Sequence, residues 1–338
     1  MKAWRSTHRA ACAISRCWKS VSAERPPPGA PRILGLIDRS PGHARQVRGV
    51  LGVIGKELSG VEAYGRDLEY RPLAWLPNIL LGATLATVRN DHLAEPPPDL
   101  VIGCGRRTVP PALALRRRTS ATRLVQLMWP ETRARRFDLI VLPAHDRRRT
   151  GGNILFVLLP PTDLVPSPVD RTGPGTLLAV MGGPRRGHGV DLDGFLDRAR
   201  RASVGRKLVI VATPRTPEPW RSRVANAAFG EYPALLARAG SVAVSGESTS
   251  VMADAARFGL PILIDRPGDP AFGKLAHLHR NLMERGMAGD LARPPDLPPY
   301  PPFDSAHIIA SEMQKRGILP SFNGHRRVTD CGKPVKQG

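Results

Sequence analysis

Short, continuous apolar runs alternate along the chain with longer stretches in which apolar residues recur every three or four positions. RILGLI from Arg32, DLVIGC at 99–104, RLVQLM at 123–128, DLIVLP at 138–143 and NILFVLL at 153–159 are the runs of the first half; helical patterns follow Gly42 and run through TVPPALALRRR. Uninterrupted apolar strands separated by helices predict a parallel sheet covered on both faces. After the linker PPTDLVPSPVDRTGPG the pattern starts again. TLLAVM, the helix DLDGFLDRARRA, KLVIVAT, a helix near 217–228, EYPALLARAG, SVAV, a helix through Asp254 and PILI form the second series. The expected fold class is α/β, with two tandem doubly wound Rossmann-like domains, 31–165 and 175–303, and a cleft between them.

Ligands of such sheets bind beyond the C-terminal strand ends, so the loops after Ile37, Cys104, Met181, Thr213 and Val244 are expected to face that shared cleft. AFGKLAHLHRNLMERG at 271–286 reads as a helix with Leu275, Leu278 and Leu282 on one face. A last helix over 304–320 is expected to pack back on the N-terminal domain, with the Pro-rich segment 293–302 as the crossing linker. LPNILLGATLATV, from Leu76 to Val88, is too short to span a bilayer and reads as a buried or surface-lying helix.

Charge changes this picture. The 338 residues carry a net charge of +21, which calls for an anionic partner. Residues 1–30 and 321–338 read as basic tails, and between 105 and 149 twelve arginines face only Glu131, Asp138 and Asp146. Aromatics make up 5% of the chain and do not interleave with basic residues, so specific nucleic-acid binding is not expected. Cys12, Cys17, Cys104 and Cys331 have no metal-type spacing, which suits a reducing compartment and predicts no metal site. The N-terminus has the basic, acid-poor composition of an organelle transit peptide, but a tail ahead of PPPGAP explains it better. The location expected is the cytoplasm, with the inner face of an anionic membrane as a docking surface that the charge permits and mitochondrial targeting as the lesser alternative.

The loops supply candidate chemistry. In SGESTSVMADA the small residues Ser245, Gly246, Ser248 and Thr249 can present backbone N–H groups to a phosphate at a helix start, where the helix dipole favours an anion. The alternative is an ordinary capped turn. Gly182, Gly183 and Arg185 after TLLAVM, and Arg215 after KLVIVAT, converge on that turn and favour a diphosphate. Asp254, one turn into the helix, can accept from ribose hydroxyls, and Glu247 is a candidate second carboxylate. On the N-terminal side, Gly42 lets the chain turn so that His43 stands at a helix start, where a near-neutral pKa suits a general base or else a simple cap. Gln46, Gly105, Arg106 and Arg107 are candidates for holding an acceptor. Asp191 and Asp193 resemble a metal pair but sit at a helix start, where carboxylates favour the dipole.

Gly42-His43 with Gln46, GRRT at 105–108, VQLMWP at 125–130, Pro143 with His145 and Asp146, GGP at 182–184, RTP at 215–217, Tyr232-Pro233 and KLAHLHRNLMERG at 274–286 together resemble the mitochondrial-fission Elm-type family. Its bacterial members are described as candidate glycosyltransferases of the two-domain GT-B type. The resemblance implies a nucleotide-diphosphate sugar as donor, no cofactor, an anionic or lipid-linked acceptor and metal-independent transfer. It also implies that His43 stands at the acceptor-side loop and Asp254 in the ribose position. Pro214 stands where the family has an arginine, and Glu247-Ser248 where it often has Asp-Ser. Plant members recruit a fission GTPase, so a non-catalytic adaptor is the alternative function, and a nucleotide-sugar epimerase of the same architecture is another.

Overall fold

The computed structural model describes residues 29–89, 93, 96–146, 150–166, 175–183, 191–224 and 226–319. The first half forms β1 (Arg32–Ile37), α1 (Pro41–Glu57), β2 (Glu62–Asp67), α2 (Asn78–Leu81), β3 (Leu100–Cys104), α3 (Val109–Arg118), β4 (Arg123–Leu127), β5 (Leu139–Pro143) and β6 (Ile154–Val157). Its six strands are ordered β2-β1-β3-β4-β5-β6 and each pairs in parallel with its neighbour. The core strands are buried because they are apolar on both faces, Val101, Ile102 and Leu139 among them. The apolar pattern does not predict β2: EAYGRD is half polar because an edge strand is only partly covered.

The second half forms β7 (Thr176–Met181), α4 (Leu192–Ala202), β8 (Lys207–Ala212), α5 (Glu218–Val224), α6 (Tyr232–Arg238), β9 (Ala239–Ser245), α7 (Thr249–Arg257), β10 (Ile262–Asp265), α8 (Leu275–Glu284), β11 (Ala288–Asp290) and α9 (Ser305–Lys315). Its sheet is also parallel, ordered β11-β10-β9-β7-β8. Asp191 caps α4 by accepting from the Gly194 N–H at 2.9 Å and bonds Arg198, which accounts for that acidic pair as a helix start. α9 crosses to the first half, where Ile309, Ala310 and Met313 are buried in the cluster built on α1 and β3. The chain is thus α/β, with two Rossmann-like sheets. Among the described residues no helix is long and apolar enough to cross a membrane.

Each sheet has one place where successive connections leave in opposite directions: between β1 and β3 in the first, between β7 and β9 in the second. The loops at such a switch part and open a crevice at the strand ends. The two candidate sites lie there.

Candidate functional site

At the first switch, the loop after β1 carries Asp38 and leads to His43 in the first turn of α1. Asp38 is 3% exposed. One carboxylate oxygen meets His43 Nδ1 at 2.7 Å, and the other accepts from the Arg107 guanidinium at 2.9 Å. Burial raises the Asp38 pKa, but the His43 hydrogen bond and the Arg107 charge outweigh it and hold the carboxyl below its usual range. An ionised Asp38 can only accept, so Nδ1 carries a proton, and in the neutral ring this leaves the lone pair on Nε2. Nε2 has no hydrogen-bond partner among the described residues.

The loop after β3 supports this histidine from beneath. Gly105 has φ +79°, and a Cβ there would stand 2.6 Å from His43 Cε1, so this position needs glycine on two grounds. The Gly105 carbonyl accepts from Gln126 Nε2 at 3.0 Å and Thr108 Oγ1 at 2.9 Å, both fully buried. His43, Asp38, Gly105, Arg106 and Arg107 line a cavity of about 480 Å³ together with Trp129, His145 and Lys274. Met128 and Glu131 also line it and hold positive φ of 69° and 52°, a backbone state concentrated at functional sites. His145 Nδ1 is buried without a partner, and burial pushes its pKa down, so the ring is neutral near pH 7. Lys274 reaches Asp146 at 2.5 Å, tying the second half of the chain to the cavity rim.

Of the predicted acceptor residues, Gly105, Arg106 and Arg107 line the cavity, and Arg107 also bonds Asp38 and stacks over Tyr70 and Trp75. Gly42 is exposed with open space around it, and Gln46 is half-buried and does not line the cavity. Asp38 and His145 are not among the candidate site residues that the sequence suggests. An aspartate five positions before a histidine in one loop is the available signal for the first.

At the second switch, the predicted loops do converge. A Cβ on Gly182 would run into the Glu247 carboxylate, and one on Gly183 into the Arg215 backbone. The expected open phosphate turn is corrected in one respect, because its centre is filled by Glu247, which is 1% exposed. Its Oε1 accepts from Ser245 Oγ at 2.8 Å and Ser248 Oγ at 3.0 Å, while its Oε2 is buried with no partner. A carboxylate placed at the start of α7 meets the positive helix end itself. Thr249, half-buried, donates its N–H to the Glu247 carbonyl at 3.1 Å. Phe272 covers Gly246, whose carbonyl accepts from His279 Nε2 at 2.8 Å. Exposed Arg215 comes to 3.5 Å from Ser248 Oγ at the rim. Arg185 lies outside the described residues.

Asp254 is not turned toward open space as a ribose contact requires. It is 1% exposed and accepts from Arg45 on α1 at 2.7 and 3.0 Å, from Thr162 Oγ1 at 2.6 Å and from the Tyr232 hydroxyl at 3.2 Å. The register of α7 aims this side chain at α1 and the interdomain linker, where Arg45 also bonds Asp163 at 2.7 Å. Burial lowers the Arg45 pKa, but the Asp254 carboxylate more than reverses this and raises it. Among the described residues no group of three or more His, Cys, Asp or Glu is placed to hold a metal ion.

A family model described as mitochondrial fission ELM1 matches residues 41–317, which include His43, the loop after β3, the second switch site and α9. The chain belongs to the mitochondrial fission ELM1 family. An uncharacterized Rickettsia prowazekii (strain Madrid E) protein is 40% identical over 85 residues, a match that spans 24% of this ELM1-family chain and 24% of the relative. Three solved structures are similar at lower identity. The glycosyltransferase SnogD from Streptomyces nogalater is 12% identical, with 78% of this chain and 88% of that one covered and a TM-score of 0.47. The Streptomyces sp. SF2575 glycosyltransferase SsfS6, complexed with thymidine diphosphate, is 16% identical, with 84% and 96% covered and a TM-score of 0.45. MurG of Acinetobacter baumannii is 11% identical, with 86% and 92% covered and a TM-score of 0.43.

Proposed function

We propose that this ELM1-family chain is a GT-B-like glycosyltransferase that moves a sugar from a nucleotide-diphosphate donor to a hydroxyl acceptor, which is anionic or lipid-linked. The observation that carries the reading is the buried Asp38 fixing the His43 tautomer at the edge of a cavity of about 480 Å³, a volume suited to a small polar molecule. His43 Nε2 takes the acceptor hydroxyl proton as that oxygen bonds the anomeric carbon. The bond from that carbon to the diphosphate breaks, and the diphosphate leaves with the electron pair. Its negative charge is met by Arg215, by Gly182 and Gly183, and by the Ser245 and Ser248 hydroxyls once the Glu247 side chain has turned out of the turn they form. Arg185 is a further candidate for that contact. In this scheme Asp254 acts by holding the domains together, and a ribose contact would need that ion pair to open. The step needs no cofactor.

The thermal midpoint of the full chain, measured with uridine and thymidine diphosphates, tests the donor half. Glu247→Ala removes the competing carboxylate, so it is expected to bind the diphosphate more tightly than wild type. The filled turn is also the observation that favours the non-catalytic adaptor. If no nucleotide diphosphate shifts the midpoint of wild type or Glu247→Ala, the transferase reading falls and the adaptor stands.

A further inference from the structure

Residues 72–81, PLAWLPNILL, hold their apolar side chains outward: Trp75 is 69% exposed, Leu76 45%, Ile79 81% and Leu80 74%. Single exposed hydrophobes are ordinary, but a contiguous set marks an interaction surface. The segment is firmly mounted. Ala74 and Asn78 point inward at 2% exposure each, and Asn78 Nδ2 donates to the Arg106 and Pro130 carbonyls, both at 2.8 Å. The Arg106 guanidinium donates to the Leu76 and Trp75 carbonyls at 3.1 and 3.3 Å. The chain is therefore braced to present these side chains to its surroundings.

The rim is cationic. Arg71 precedes the segment, and Arg117 and Arg118 share a shallow depression with Ala83, Thr84 and Leu85 just beyond it. All three of these arginines are exposed. We propose that residues 72–81 are a wedge that enters the interface of an anionic lipid bilayer, with the arginine rim on the headgroups. Trp75 sits where an amphipathic indole is favoured, the aliphatic tips reach the acyl boundary, and basic residues near the surface add attraction for anionic lipid. A second copy of the chain is a poorer occupant, since pairing would press two arginine rims together. Arg106 both braces the wedge and lines the His43 cavity, so docking sets that cavity against the bilayer. Resting on the transferase reading, this points to an acceptor that stays anchored in lipid.

Flotation of the full chain with vesicles of phosphatidylcholine mixed with phosphatidylglycerol, and with phosphatidylcholine alone, tests the wedge. Wild type is expected to float with the anionic vesicles only. The double substitution Ile79→Glu and Leu80→Glu is expected to lower that partitioning about tenfold or more, with the thermal midpoint kept because both side chains are exposed. Lipid brominated along its chains is expected to quench wild-type fluorescence, and Trp75→Phe to remove most of the quenching. The proposal is overturned if the double variant floats as well as wild type, which would assign binding to the basic tails. It is also overturned if wild type floats equally with neutral vesicles or with none, or if the variant instead abolishes self-association in the absence of lipid. Diphosphate binding needs no vesicle, so a lost wedge with a retained thermal shift leaves the transferase reading intact with a soluble acceptor.

Discussion

Among single side chains, the chemistry concentrates on one imidazole and the carboxylate that orients it. His43 is legible in the sequence as a residue type at a helix start after a strand, but its value depends on Asp38, Arg107 and Gly105, which three separate sequence positions bring to it. His43→Ala is expected to lower sugar transfer by about 10² to 10⁴, measured as turnover of a nucleotide sugar. Asp38→Asn is expected to lower it at least about tenfold by reversing the tautomer, which ring-nitrogen NMR would register as a proton on Nε2. Asp38 also predicts a pH dependence. Its folded pKa lies below its ordinary value of 3.8, so the stability it contributes is present above that value and lost as pH falls through the folded pKa. Urea titrations carried down through that range should show wild type losing its advantage over Asp38→Asn. The buried Glu247 is harder to read. Between Gly246 and Ser248 a carboxylate is as compatible with solvent as with burial, and its direction follows from the approach of Gly182, remote in sequence.

Among the secondary-structure elements, strands whose apolar residues run unbroken are plain in the sequence, because a strand covered on both faces has no polar alternative. Two of the four edge strands are not: β2 is half polar, and β11 spans only three residues, Ala288–Asp290. A short edge strand gives too few apolar positions for a period to stand out. The pattern of 76–88 predicts a helix, yet only Asn78–Leu81 is α-helical, since Pro77 and Gly82 bound it. α9 is the element whose partner sequence patterning could suggest but not specify. Met313 is fully buried in the first-half cluster, so Met313→Ala is expected to cost about 2–5 kcal/mol in chemical denaturation.

For the molecule as a whole, two of the ion pairs that join the halves sit in different environments and predict different consequences. Arg45–Asp254 is buried at its acidic end and accompanied by Thr162, Tyr232 and Asp163. Arg45→Ala would strand that carboxylate and is expected to destabilise the fold by about 3–5 kcal/mol. Lys274–Asp146 has a lysine side chain 51% exposed, so Lys274→Ala is expected to change stability by about 0–1 kcal/mol. Denaturant midpoints of both variants check the contrast. The two parallel sheets, the loops that end at their switch points and the cationic balance follow from local periodicity and composition, and the linear chain suffices to specify them. Three outcomes arise only on packing: Glu247 fills the turn at α7, Asp254 clasps Arg45, and residues 72–81 face outward. Each of them depends on which distant backbone comes close enough to bury a side chain or leave it in water, and no local pattern encodes that approach.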